Sequence, residues 1–207
     1  MAAITDYDTL QAEILGWLHR TGDSDFEALA PGFIQLGEAR IYRDMRVRQM
    51  ETALSDTIAS GVIAVPAGYL EMKNAYINGS PTQKLQRKDA EWIYHNYPTR
   101  SSDGTPKFFA REAGNFIFGP YPDSAYTVKG VYYKKLSALS DSNTTNWLTD
   151  DAPDLILFAS LCEAAPWMQD DPRIAIWEKK YDQIRARFQR NDEQEEFSGS
   201  PLAVTVR

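Results

Sequence analysis

The residues able to do chemistry in this chain of 207 residues are few and scattered. His19 and His95 are the only histidines, and neither has a companion at the i, i+4 spacing of a metal-binding helix. No metal site and no cofactor are therefore expected. Cys162 is the single cysteine, set inside the apolar run 155–168 with no cationic neighbour to hold a thiolate, so it reads as a small buried hydrophobe rather than a nucleophile. The segment Gly114-Asn115-Phe116-Ile117-Phe118-Gly119 lacks the spacing of a phosphate-binding loop and reads as a strand between turns. Asp150, Asp151 and Asp154, with Glu163 or Glu91 as partner, offer the one enzymatic alternative, paired carboxylates for hydrolysis of a wall glycan. The same aspartates are explained more simply as charges that favour a helix N-terminus.

Two further groups of residues point to contact rather than catalysis. Lys84, Arg87 and Lys88 lie close to Trp92, Tyr94 and Tyr97, and Lys134 and Lys135 follow Tyr132 and Tyr133. Bases interleaved with aromatics can grip single-stranded nucleic acid, but the local positive charge is small and better suits an acidic protein neighbour. These three residues, with Arg43, Arg46, Arg185 and Arg187, form the expected subunit interface. The second group is the C-terminal end. There an acidic run, 192–196, leads through Phe197 and a Ser-Gly-Ser-Pro turn into Leu202-Ala203-Val204-Thr205-Val206. An apolar, strand-like end on an extended lead suits docking into another chain, and Phe197, Pro201, Leu202, Val204 and Val206 are its expected contacts.

The elements that must position these groups follow from periodicity. Helices are expected from Thr5 or Asp6 to near Gly22, and from Pro31 as a first-turn residue to about Arg48, with a turn over 25–30 between them. Short β-branched or aromatic segments at 50–58, 62–65, 71–77, 107–111, 115–118 and 126–133, separated by Gly, Pro, Asn or Asp, predict a small antiparallel sheet or barrel. A helix at 88–97 interrupts it, ended by Pro98. Helix returns after Pro153, buried on most sides over 155–168. A last helix over 172–190 carries one stripe, Ile174, Trp177, Tyr181, Ile184 and Phe188. The expected class is α+β: a four-helix frame from both chain ends (1–49 and 138–190) around a β-rich insert (50–137), with an extended tail at 191–207. The composition agrees with a globular chain, 43% hydrophobic and 25% charged. Its net charge is -7, which disfavours general adhesion to nucleic acid or anionic membrane. Residues 61–140 carry 10 bases against 6 acids and 13 of the 25 aromatics, so a basic, aromatic middle sits in an acidic frame. No apolar run is long enough for a membrane span, the N-terminus lacks the pattern of a signal peptide, and no disulfide is possible within the chain.

Four stretches together carry a resemblance: LGEARIYRDMRVRQME, GYLEMKNAYING, the long segment YYKKLSALSDSNTTNWLTDDAPDLILFASLCEAAPWMQDD, and FSGSPLAV. They resemble the head-to-tail adaptor, or connector, proteins of tailed bacteriophages, of the podophage tail-accessory type. The resemblance implies a helical bundle with an inserted β region, assembled as a ring of twelve beneath the portal. It implies docking on the portal protein through the C-terminal segment and presentation of the other face to a tail nozzle or next connector. It implies no catalytic residue. The corresponding setting is the virion head-tail junction, assembled in the host cytoplasm, with DNA passing through the channel without specific recognition and no membrane involved. A wall-glycan hydrolase and a monomeric partner-binding module stand as the alternative readings.

Overall fold

In the computed structural model the described residues are 3–101, 104–135, 137–168 and 172–196. They form two compact units, one from Met1–Gln49 with Leu136–Arg207 and the other from Met50–Lys135. The class is α+β.

The first unit is built on four long helices contributed by both ends of the chain: α1 (Tyr7–Leu18), α2 (Ser24–Asp44), α5 (Pro153–Ala164) and α6 (Ile174–Glu196), with a single turn, α4 (Trp147–Asp150), before α5. Asp6 caps α1 by accepting from the Thr9 amide at 2.9 Å, and Thr9 returns the bond to the Asp6 amide at 3.0 Å. The helix stops at Leu18, four residues short of Gly22, because His19 takes the left-handed conformation (φ 56°) and closes the turn on Gly16. Helix α2 begins at Ser24, capped by Asp23, and Pro31 lies inside it rather than in its first turn. The proline deprives only the carbonyl of Glu27 of a partner, and both residues are exposed, so water can replace the bond.

Helix α5 packs against α1, α2 and α6, and eight of its twelve residues are buried. This explains a sequence apolar all round. Gly37 of α2 makes the closest approach: a Cβ there would lie 2.8 Å from Ser160 Oγ and 2.9 Å from the Ser160 backbone nitrogen. The helix gives way to a 3-10 turn at Ala165–Trp167, since Pro166 cannot continue an α-helical ladder, and so ends before Met168. Helix α6 buries Trp177 and Tyr181 almost completely. Its expected stripe is confirmed further along, where the Phe188 ring meets Trp147 at 5.7 Å.

The second unit contains β1 (Glu51–Thr57), β2 (Val62–Ala64), β3 (Tyr69–Ile77), β4 (Gln83–Lys84), β5 (Gln86–Arg87), α3 (Ala90–Asn96), β6 (Phe108–Glu112), β7 (Asn115–Gly119) and β8 (Thr127–Lys134). The strands make two open four-stranded sheets, ordered β1-β8-β3-β4 and β2-β7-β6-β5, and not a barrel. One pairing departs from the expected antiparallel pattern: β5 runs parallel to β6, with Arg87 beside Phe109. The sheets face each other across a shared core that includes Leu54, Met72 and Val128 from the first and Phe109, Phe116 and Phe118 from the second. On β7 the residue between those phenylalanines, Ile117, points the other way, to Ile93 of α3 and Ala110. The aromatics of the middle third are therefore mostly core.

Candidate docking surfaces

Of the expected carboxylate pairings, that of Asp154 with Glu163 does not form. Asp154 and Glu163 are nine residues apart on α5, which places them on opposite sides of the helix and roughly 13 Å apart along its axis. Glycosidase carboxyls need about 5–9.5 Å. Glu163 is instead engaged by Arg40 Nη1 at 3.2 Å. Asp154 sits exposed in the first turn of α5 and accepts from the Leu155 amide at 2.9 Å. Burial pushes the Cys162 thiol up to about 11, against a smaller opposing effect of Arg40, so it is not a thiolate at neutral pH. Among the described residues no group of three or more His, Cys, Asp or Glu could hold a metal ion. No helix among them is long and apolar enough to cross a membrane.

The basic residues expected at an interface fall in two sets. Lys84 and Arg87 are exposed on β4 and β5. Lys88 is half-buried, with Nζ 5.0 Å from the centre of the Trp92 ring and 5.9 Å from that of Phe108, so its charge is used partly to cover an aromatic cluster. The others belong to the helical unit. Arg43 is exposed and its Nε donates to the Ala39 carbonyl at 3.1 Å. Arg46 caps the end of α2, donating to the carbonyls of Tyr42 at 2.6 Å and Met45 at 2.8 Å. Arg185 is half-buried and pairs with Asp182 at 3.3 Å. Arg187 is exposed beside a shallow groove of about 440 Å³ whose floor is Trp17 set edge-on to Phe158, centroids 5.5 Å apart. Arg43, Arg187, Lys84 and Arg87 thus remain available to a partner, while Arg46 and Lys88 are spent largely within the chain. The expected docking residues Phe197, Pro201, Leu202, Val204 and Val206 lie outside the described residues.

The acidic run 192–196 is helical as far as Glu196, where an extended tail from 191 was expected. Arg48, just beyond the end of α2, explains this. Its Nε binds Asp192 Oδ1 at 3.1 Å, its backbone amide donates to the same oxygen at 3.2 Å, and its Nη2 meets Glu195. A second tether lies about three turns earlier, where the Tyr181 hydroxyl donates to Asp44 at 2.8 Å and Arg40 stacks 4.8 Å over the same ring. Burial and the neighbouring carboxylate both raise the Tyr181 phenol. These contacts fix the helix from which the tail departs, and periodicity gave no sign of them because both partners come from the distant N-terminal segment.

Sequence reasoning places Glu38 on the polar side of the second helix, opposite Phe33, Ile34 and Ile41, and the structure corrects this. Glu38 is 1% exposed and accepts from the Leu139 amide at 3.2 Å and from Asn146 Nδ2 at 3.0 Å. It thereby fastens the segment that leads from the β unit into α4 onto α2. A lone glutamate on the inner side of α2, at the four-residue step between Ile34 and Ile41, was the available signal.

A helical frame with a two-sheet insert, with several basic side chains exposed on both units, defines the chain as α+β. The chain belongs to the SU10 adaptor protein family, whose model matches residues 5–205. It is thus a phage adaptor protein, a structural component of the virion. No curated protein matches it.

Proposed function

We propose that the protein assembles as a ring of twelve beneath the portal, joins the head to the tail nozzle or next connector, and continues the channel through which DNA leaves. The single observation that carries this reading is a family match that spans both the helical unit and the β insert. Charge supports it. The helical unit holds 12 basic and 21 acidic residues and the β unit 10 and 8, so the two have net charges of -9 and +2. A closed ring made of heterologous contacts uses two different faces of each subunit, and opposite potentials suit such faces. In this reading the exposed Lys84, Arg87, Arg43 and Arg187 serve the subunit interface, while Lys88, Arg46 and Arg185, largely engaged within the chain, support it from behind. Phe197, Pro201, Leu202, Val204 and Val206 dock on the portal protein, at the end of a helix held in place by Arg48 and Tyr181. DNA passes without sequence recognition, the subunit needs no cofactor, and assembly takes place in the host cytoplasm.

Removal of residues 197–207 tests the docking role. The truncated protein keeps its fold, by circular dichroism and thermal melting, and no longer co-sediments with purified portal. Undiminished co-sedimentation would refute the role given to the tail.

A further inference from the structure

We infer that Tyr69, Arg87 and Arg111 form an anion-receiving site on the β unit, and that its occupant is the acidic end of α6, residues 192–196, of a second copy of this chain. The inference deepens the ring reading above and rests on it.

The site is built by register. Arg87 on β5 pairs with Phe109 on β6, and Arg111 follows two residues later on the same face of β6. That face meets the opposite sheet across the shared core: Phe109 meets Phe116 at 6.1 Å, Phe116 meets Tyr69 of β3 at 5.3 Å, and Tyr69, half-buried at the edge of the core, stacks on Tyr132 of β8 at 5.8 Å. The Arg111 guanidinium lies 5.3 Å from the centre of the Tyr69 ring. Burial raises the Tyr69 phenol, while Arg87, the Met72 backbone and Arg111 act in the opposite direction. Among the described residues neither Arg87 nor Arg111 forms an ion pair. Arg87 and Arg111 thus stand on neighbouring strands without an acidic partner among the described residues, and a carboxylate reaching them would make charge-assisted bonds.

The end of α6 has the opposite defect. It carries Asp192, Glu193, Glu195 and Glu196 at the terminus where the helix dipole favours cations. Arg48 meets Asp192 and Glu195 only, and Glu193 is exposed with no ion pair among the described residues. An unpaired arginine pair on the positive unit and surplus carboxylates on the negative unit form a heterologous contact, the type that closes into a ring.

Sedimentation velocity of the intact protein over a wide concentration range at low salt tests the pairing. Concentration-dependent association is expected, weakened about tenfold (about 1.4 kcal/mol) by Arg87→Glu/Arg111→Glu and by Glu193→Lys/Gln194→Lys, each at unchanged circular dichroism. An equimolar mixture of the two reversed variants should associate again. A wild type that stays monomeric throughout, or association indifferent to both variants, overturns the proposal. So does retardation of a labelled DNA duplex by the wild type that Arg87→Glu/Arg111→Glu abolishes, which would assign the site to phosphate. If rings form on the portal as well with Arg87→Glu/Arg111→Glu as with wild type, this site fails while the ring reading stands. If the reversed variants rescue each other but no ring appears on the portal, the ring reading fails alone.

Discussion

Replacing Arg48 with alanine should loosen the end of α6 while leaving the rest of the helical unit intact. The variant loses the guanidinium bonds to Asp192 and Glu195 and keeps the backbone donation to Asp192 Oδ1 at 3.2 Å. Asp192 is only 13% exposed and its pair is partly shielded from solvent, whereas Glu195 at 64% is screened and contributes little. Exposed pairs are worth about 0.2–1 kcal/mol each, so the local loss is about 1 kcal/mol, a factor of about 5 in the opening equilibrium of the last two turns. The dipole adds to it, since Asp192, Glu193, Glu195 and Glu196 stand at the helix C-terminus with no basic residue in the last turn. Amide hydrogen exchange resolves the change: residues 189–196 should exchange about fivefold faster, while 177–184, anchored by buried Trp177 and Tyr181, should not change. High salt should produce part of the same effect in the wild type. Unchanged exchange at 189–196, or an equal increase along all of α6, would refute the reasoning.

Gly37→Ala should destabilise the helical unit, because a Cβ there meets the Ser160 backbone nitrogen at 2.9 Å. Overpacking costs about 1–3 kcal/mol, more than the about 1 kcal/mol gained in helix propensity, so the urea midpoint should fall, and a rise would contradict the close approach. Tyr181→Phe removes the bond to Asp44 and keeps the ring under Arg40, a loss of about 1–2 kcal/mol by urea denaturation at unchanged m-value; an unaltered midpoint would show that the bond adds no stability. Alkaline pH should act through Cys162 and Tyr181, whose protonated forms the fold favours. Their contributions are complete below the ordinary values of 9.0 and 10.0 and fade as pH rises, through about 11 for Cys162, so stability should be flat to about pH 9 and then fall. The double variant Cys162→Ala/Tyr181→Phe should flatten that decline, and an equally steep one would contradict the assignment. Glu163→Gln should leave any wall-glycan lysis by the purified protein unchanged, because Asp154 is on the far side of the helix; lysis lost in this variant alone, in a zymogram, would revive the hydrolase alternative.

What the sequence made legible was whatever depends on local spacing. The α6 stripe, the apolar α5 and the short strands with their turn residues all emerge from periods of 3.6 and 2. Element ends were less legible, because they are set by contacts from afar or by single backbone choices. Arg48 reaches Asp192 across 144 positions and holds it in the last turns of α6. His19 ends α1 by adopting a left-handed conformation that few residues other than glycine take, and Pro31 continues a helix because the residue whose carbonyl it orphans is exposed. The parallel β5–β6 pair was hidden by its length of two residues. Of the interface residues, type and exposure could be read, but not which ones the chain itself employs: Arg46 gives two bonds to the end of α2, and nothing in its spacing distinguishes it from Arg43. Arg111 and Tyr69 escaped because they are 42 positions apart and meet only when both sheets are assembled.

Electron microscopy of the intact protein mixed with the purified portal of its phage tests the central claim most directly. The account requires a closed ring of twelve copies seated on the portal, with an open channel through its centre. A mixture in which the portal remains bare, or carries isolated subunits that never close into a ring, would contradict it.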